Sequence, residues 1–158
     1  MTRSGLGPAL TLLALLTLPL HPAAAQDKDA AATPLVDPAA DAILGTYIND
    51  KQTARIQIFR EEDRYFGRIV WHKEDKKDDQ NPNPDLRDRP LVGIVLLQDF
   101  VYDPEEKEWA DGSVYAPDDG NTYSGYLWLE DGVLKMRGYV GFPIFGRTAE
   151  LTPVPPTE

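Results

Sequence analysis

From Ile43 to Leu151 the apolar positions fall in short runs, each closed by Gly, Asp, Asn or Pro. In "ARIQIFR" (Ala54–Arg60), Ile56 and Ile58 alternate with Arg55 and Gln57, the period-two pattern of a strand with one buried face. Runs of the same kind cover Ile43–Asn49, Arg64–Lys73, Glu108–Pro117, Asn121–Glu130, Val133–Val140 and Ile144–Leu151, while Leu91–Leu97 is apolar throughout. The separators "DDGN" (Asp118–Asn121) and "EDG" (Glu130–Gly132) favour tight hairpins, because Gly and Asn adopt positive φ at little cost. The pattern predicts an all-β domain of about eight strands, with no amphipathic helix longer than a turn or two. A single antiparallel up-and-down barrel is expected, since an open meander would leave two unpaired edges. An eight-stranded barrel encloses room for side chains alone or for one small ligand.

The flanks follow a different pattern. Arg3, the apolar run Ala9–Leu20 and the small residues Ala23–Ala25 read as a signal peptide over residues 1–25, cleaved between Ala25 and Gln26. The apolar run is too short to span a bilayer, so a periplasmic or secreted protein without a stable membrane anchor is expected. Residues 26–40, rich in Ala, Pro and Asp, read as a flexible linker to a domain over 41–152. The Pro-rich tail, residues 153–158, is expected to lie outside the sheet because proline lacks the donor. Inside the domain, Glu74–Pro90 is a charged excursion carrying Pro82, Pro84 and Pro90, long enough to be a functional loop, a lid or a plug.

Charge and chemistry narrow the function classes. The chain carries 16 basic and 26 acidic residues, a net charge of −10, and loss of Arg3 makes the mature form more acidic still. That balance argues against nucleic acid and against anionic membranes. With no cysteine in the chain, the core must hold the fold without disulfides. Outside the signal segment there is one histidine, His72, and the serines are Ser113 and Ser124, so no catalytic constellation stands out. The carboxylates of "HKEDKKDD" (His72–Asp79) are interrupted by Lys73, Lys76 and Lys77 and lack the spacing of a calcium loop, so neither a metal nor a cofactor is assigned. Aromatic side chains are more suggestive: Trp71, Tyr115, Tyr123 and Tyr139 stand in strands where they either stack on the wall or line a ligand mouth.

The blocks "ILGTYIND", "FGRIVWHKE", "NPNPDLRDRPLVG", "GSVYAPDDGNTYSGYLWLEDG" and "LKMRGYVGFPIFGRT" resemble the DUF2147 family of exported bacterial proteins over about Ile43–Leu151. The resemblance implies a calycin or lipocalin-like small barrel and no established biochemical function. Three departures stand out. Gly45-Thr46-Tyr47 replaces the Gly-x-Trp of the family, Asn81-Pro82-Asn83-Pro84 replaces Asn-Pro-Asp-Pro, and Glu61 and Phe66 stand where many relatives have cysteines.

In calycin-like barrels an arginine of the last strand covers the Gly-x-Trp of the first. The resemblance therefore assigns barrel closure to Gly45, Tyr47 and Arg147, and alternation puts Arg147 on the same face as Phe145, Ala149 and Leu151. Arg147→Ala is then expected to destabilise strongly. Arg137, on the opposite face from Leu134 and Met136, is expected to be solvated and free to serve function. The candidate ligand-binding set is Trp71, Arg89, Tyr115, Tyr123, Arg137 and Tyr139, for a small apolar or amphipathic molecule. The alternative is a protein-interaction or support module of the cell envelope, with a filled barrel and a working surface on residues 81–90. A hydrolase using His72 is a third reading.

Overall fold

The computed structural model describes residues 37–155. The signal segment, the cleavage position Ala25–Gln26, most of the linker and residues 156–158 lie outside the described residues. Eight antiparallel strands close into one barrel in sequence order: β1 (Gly45–Asn49), β2 (Ala54–Glu61), β3 (Arg64–His72), β4 (Val95–Asp103), β5 (Glu108–Ala116), β6 (Asn121–Glu130), β7 (Val133–Tyr139) and β8 (Arg147–Pro153). The last strand returns to the first through Tyr47↔Pro153, Ile48↔Thr152 and Asn49↔Leu151. The expected up-and-down barrel is the observed one.

Alternation alone does not place the core. In β4, Leu97 points inward and Gln98 outward, and then Asp99 takes a left-handed φ of 62° and shifts the phase so that Phe100 also points inward. Asp111 (φ 58°) does the same in β5, between Trp109 and Gly112. The lumen is packed at this level. A Cβ on Gly112 would lie 2.4 Å from the Phe100 ring, one on Gly125 2.8 Å from Val114, and one on Gly67 2.7 Å from Leu97. Three strands thus give up side chains so that Phe100 and Leu97 fill the space between them.

One end is sealed by the 3-10 turn Ala40–Ile43, whose Ile43 is fully buried. Trp109 Nε1 donates to the Ala40 carbonyl at 3.0 Å, and Tyr65 OH donates to Asp41 Oδ1 at 2.9 Å. Asp41 also faces Arg60 at 3.5 Å. Burial and the Asp41 carboxylate push the Tyr65 phenol up to about 12, so it remains a donor. Tyr102 and Tyr65 pack on the Trp109 ring, with centroids 4.9 and 6.2 Å away.

Four boundaries differ from the sequence reading. Leu91–Leu97 is not one strand: Ile94 N bonds back to the Leu91 carbonyl, Gly93 has φ 102°, and β4 runs instead from Val95 to Asp103. Pro143–Phe145 is a 3-10 turn, so the last strand begins at Arg147. Ala40, assigned to the linker, is buried under Trp109. Pro153, assigned to the tail, belongs to β8. It sits opposite Tyr47 where no donor is required, and the next N–H, from Val154, reaches the Thr46 carbonyl at 2.8 Å.

Candidate functional site

The long connection between β3 and β4 folds back along the outer wall of β4–β6 and is fixed there by a buried carboxylate. Asp78 is 0% exposed. Its Oδ2 accepts from Arg89 Nε at 2.9 Å, Arg89 Nη2 at 2.7 Å and Asn81 Nδ2 at 2.7 Å. Its Oδ1 accepts from Tyr115 OH at 2.5 Å, and Asn81 Nδ2 also reaches that hydroxyl at 3.0 Å. Burial by itself would raise the Asp78 pKa, but the hydrogen bonds from Tyr115, Asn81 and Arg89, with the guanidinium charge, outweigh it and hold the carboxyl below its ordinary value. Burial and the adjacent carboxylate push the Tyr115 phenol the other way, so it stays protonated and donating at neutral pH.

The backbone reinforces this clasp. Asp78 N donates to the Arg89 carbonyl at 3.0 Å, Leu91 N to the Lys76 carbonyl at 3.0 Å, and Arg87 Nε to the Asn81 carbonyl at 2.8 Å. Asn83 caps the 3-10 turn Pro84–Leu86 by accepting from Asp85 N at 3.1 Å. Lys76–Asp118 at 2.6 Å ties the loop to the β5–β6 turn, and Lys77–Asp88 at 2.9 Å joins its two limbs. Gly120 is obligatory in that turn, because at φ 70° a Cβ would stand 1.9 Å from the Gln80 carbonyl oxygen.

Between loop and wall lies a groove of about 740 Å³. Pro82, Pro90, Val92, Ile94 and Val95 give it an apolar side. Arg89, Gln98, Tyr115 and Thr122 give it a polar one. Tyr115 and Thr122 face each other across the β5–β6 ladder on the outside of the barrel, so the groove is external to the lumen. The Arg89 side chain is 37% exposed. Its Nε and Nη2 are engaged by Asp78, which fixes the guanidinium where it lines the groove, and no hydrogen bond to Nη1 is formed among the described residues.

Of the six candidate ligand residues, the structure brings together Arg89 and Tyr115, linked through Asp78. Trp71 lies on the wall of β3, with the Arg55 guanidinium 5.2 Å from its ring centroid. Tyr123 donates to Asp119 Oδ2 at 2.6 Å in the β5–β6 turn. Tyr139 packs near Tyr126, 6.3 Å between centroids, and Tyr126 stacks on Trp128 at 5.4 Å, forming an aromatic strip on the outside of β6–β7. These aromatics do not form one mouth: Trp71, Tyr115 and Tyr139 stand on the outer surface, whereas Tyr123, opposite the buried Val114, is on the inward face at the β5–β6 end.

The arginines exchange the roles expected of them. Arg147 shares the inward face with Ala149 and Leu151, but it is exposed and pairs with Gly138, while Tyr47 lies opposite Pro153 farther along β8. It therefore does not close the barrel over Tyr47; Trp109 and the Ala40–Ile43 turn seal the far end. Arg137 is the strut. Its Nε donates to the Pro143 carbonyl at 2.7 Å, Nη1 to Thr148 Oγ1 at 2.9 Å and Nη2 to the Ile144 carbonyl at 3.3 Å. Arg137→Ala is accordingly expected to cost about 1.5 kcal/mol and Arg147→Ala less than about 0.5 kcal/mol in urea denaturation. The opposite ranking would contradict these assignments.

Asp78 and Asn81 were missed as site residues, because Asp78 stands in a charged run and reads as solvated. The available signal was the repeated asparagine–proline pair three residues later, since such a segment needs a buried partner to hold it. His72 Nδ1 lies 2.8 Å from the Glu74 carbonyl oxygen at the strand end. Among the described residues no three of His, Cys, Asp and Glu converge on a common point suited to a metal.

The family described as an uncharacterized protein conserved in bacteria (DUF2147) matches residues 45–152. No curated protein matches the chain. A solved structure, protein HP1028 from Helicobacter pylori, described as belonging to the lipocalin family, superposes with a TM-score of 0.63 at 22% identity. The match covers 72% of this chain and 83% of that one. At that identity the likeness is one of fold: a lipocalin-like barrel.

Proposed function

The chain belongs to the DUF2147 family, and on that footing we propose that it binds a small amphipathic molecule with an anionic head in the groove between the β3–β4 loop and the barrel wall. The observation that carries this reading is Arg89, oriented by a buried carboxylate on the polar side of a groove whose other side is apolar. A guanidinium fixed in this way presents its free edge to a carboxylate or phosphate, and the prolines and valines receive the tail. The groove volume is that of a small-molecule site. Rigidity favours affinity as well, because a loop held by Asp78 and three prolines loses little freedom when a ligand enters. The role is binding, and it is exercised outside the barrel, where a lipocalin-like fold would ordinarily suggest the lumen.

Calorimetric titration with dodecanoate and with dodecanol tests the proposal. Dodecanoate is expected to bind, the alcohol to bind about tenfold more weakly, and Val95→Trp to abolish both by filling the groove without changing the melting temperature. Absence of dodecanoate binding, or unchanged binding in Val95→Trp, would count against it.

A further inference from the structure

The turn between β7 and β8 carries the most exposed of the large apolar side chains among the described residues. Val140, Phe142, Ile144 and Phe145 are 73, 72, 78 and 78% exposed. They are not on a loose loop. Phe145 N donates to the Phe142 carbonyl, Gly146 N to the Pro143 carbonyl, and Arg137 holds the Pro143 and Ile144 carbonyls from below. Gly146 lets the turn settle on its own base, since a Cβ there would lie 2.7 Å from the Gly138 carbonyl oxygen. The result is a braced apolar projection at the end of the barrel opposite the Trp109 seal. Isolated exposed apolar residues are common, but four adjacent ones on a fixed turn mark an interaction site.

The charge around this projection differs from that of the whole molecule. From Met136 to Ala149 the chain has no Asp or Glu and includes Arg137 and Arg147, in a protein of net charge −10. Lys135, farther from the turn, is paired with Glu130 and Glu150. The acceptors of Arg137 are two carbonyls and a hydroxyl, so no carboxylate neutralises it there. The carboxylate of Asp119, bonded to Tyr123, is near enough to Arg147 for its pKa to be lowered in part by that charge. Tyr139 flanks the turn on the wall, with Tyr126 and Trp128 beyond it. Apolar side chains at the tip, then arginine and tyrosine, repeat the order of layers met on entering a bilayer: acyl chains, then phosphates.

We infer that the Val140–Phe145 turn docks the protein reversibly on a zwitterionic phospholipid surface, with Phe142, Ile144 and Phe145 entering the acyl boundary and Arg137 and Arg147 at the level of the phosphates. A convex tip suits a deformable surface, and the acidity of the rest of the molecule makes a zwitterionic surface a better match than an anionic one. No helix among the described residues is long and apolar enough to cross a membrane, and the inferred contact is made by the one turn alone. It does not depend on the groove reading.

Sedimentation with phosphatidylcholine vesicles tests it. The chain from Gln26 onward, without the apolar run Ala9–Leu20, is expected to co-sediment, and Phe142→Ser/Phe145→Ser in it to lose about tenfold in partitioning while keeping its melting temperature. Val95→Trp, which blocks the groove, should partition as the unmodified chain does. In Ile144→Trp, emission from the new indole should be quenched by lipids brominated in the acyl chain. Failure of the unmodified chain to co-sediment, or equal partitioning of the double variant, would overturn the inference. So would a dimer abolished by the double variant without vesicle binding, which would make a second copy the occupant.

Discussion

Phe100→Ala is expected to cost about 4 kcal/mol, the largest single effect in the barrel. Phe100 is fully buried and lies across the strands where Gly112 and Gly125 have no side chains. Its removal opens a cavity that these neighbours cannot refill, because glycines have nothing to move into it. The converse change, Gly112→Ala, is expected to cost about 2 kcal/mol by overpacking, since its Cβ would overlap the Phe100 ring. Gly112→Ala in the Phe100→Ala background should then be much less damaging than in the native one, and a double-mutant cycle by urea denaturation would show it. Strict additivity would contradict a lumen filled at this level.

Asp78→Ala is expected to cost about 3 kcal/mol and to abolish ligand binding in the same step. One substitution leaves Asn81 Nδ2, Tyr115 OH and the Arg89 guanidinium without their shared acceptor. Part of the Arg89 charge can turn to solvent, which keeps the loss below that of a wholly buried pair. Asp78 also sets a pH dependence. Its folded pKa lies below the ordinary value of 3.8, so its contribution is complete above that value and is lost as pH falls through the lower folded pKa. Acid titration of stability should therefore show a loss below about pH 4 that is missing in Asp78→Asn. An unchanged acid limb in that variant would mean that the carboxylate charge does not hold the loop.

The architecture could be read from the sequence wherever alternation and turn chemistry agreed. Ile56 and Ile58 point inward as their period predicts, and the Glu-Asp-Gly separator makes the β6–β7 hairpin. It could not be read where a non-glycine residue takes positive φ inside a strand. Asp99 and Asp111 look like surface charge, yet each shifts the phase of its strand, and so β4 escaped detection past Leu97. The site was half legible. Arg89 and Tyr115 stand out by their chemistry and do meet, but the group that joins them, Asp78, stands in a run of charges. Only the tertiary placement of the loop against β5 distinguishes Asp78 from Asp75 or Asp79. The arginines went astray for a related reason: face parity placed Arg147 correctly on the inward side but did not say how far along the barrel it stood. Arg137 found its acceptors in the backbone of a turn, which no side-chain pattern records.

The central claim is that this lipocalin-like barrel is packed inside and works from its outer wall. Two-dimensional NMR of the isotope-labelled chain during titration with dodecanoate tests it most directly. Amide shifts are expected at Asn81, Arg89, Val92–Gln98, Tyr115 and Thr122, while Leu127, Leu134 and Leu151 in the lumen stay in place. Shifts concentrated at Leu127, Leu134 and Leu151, with the groove residues unmoved, would contradict the account.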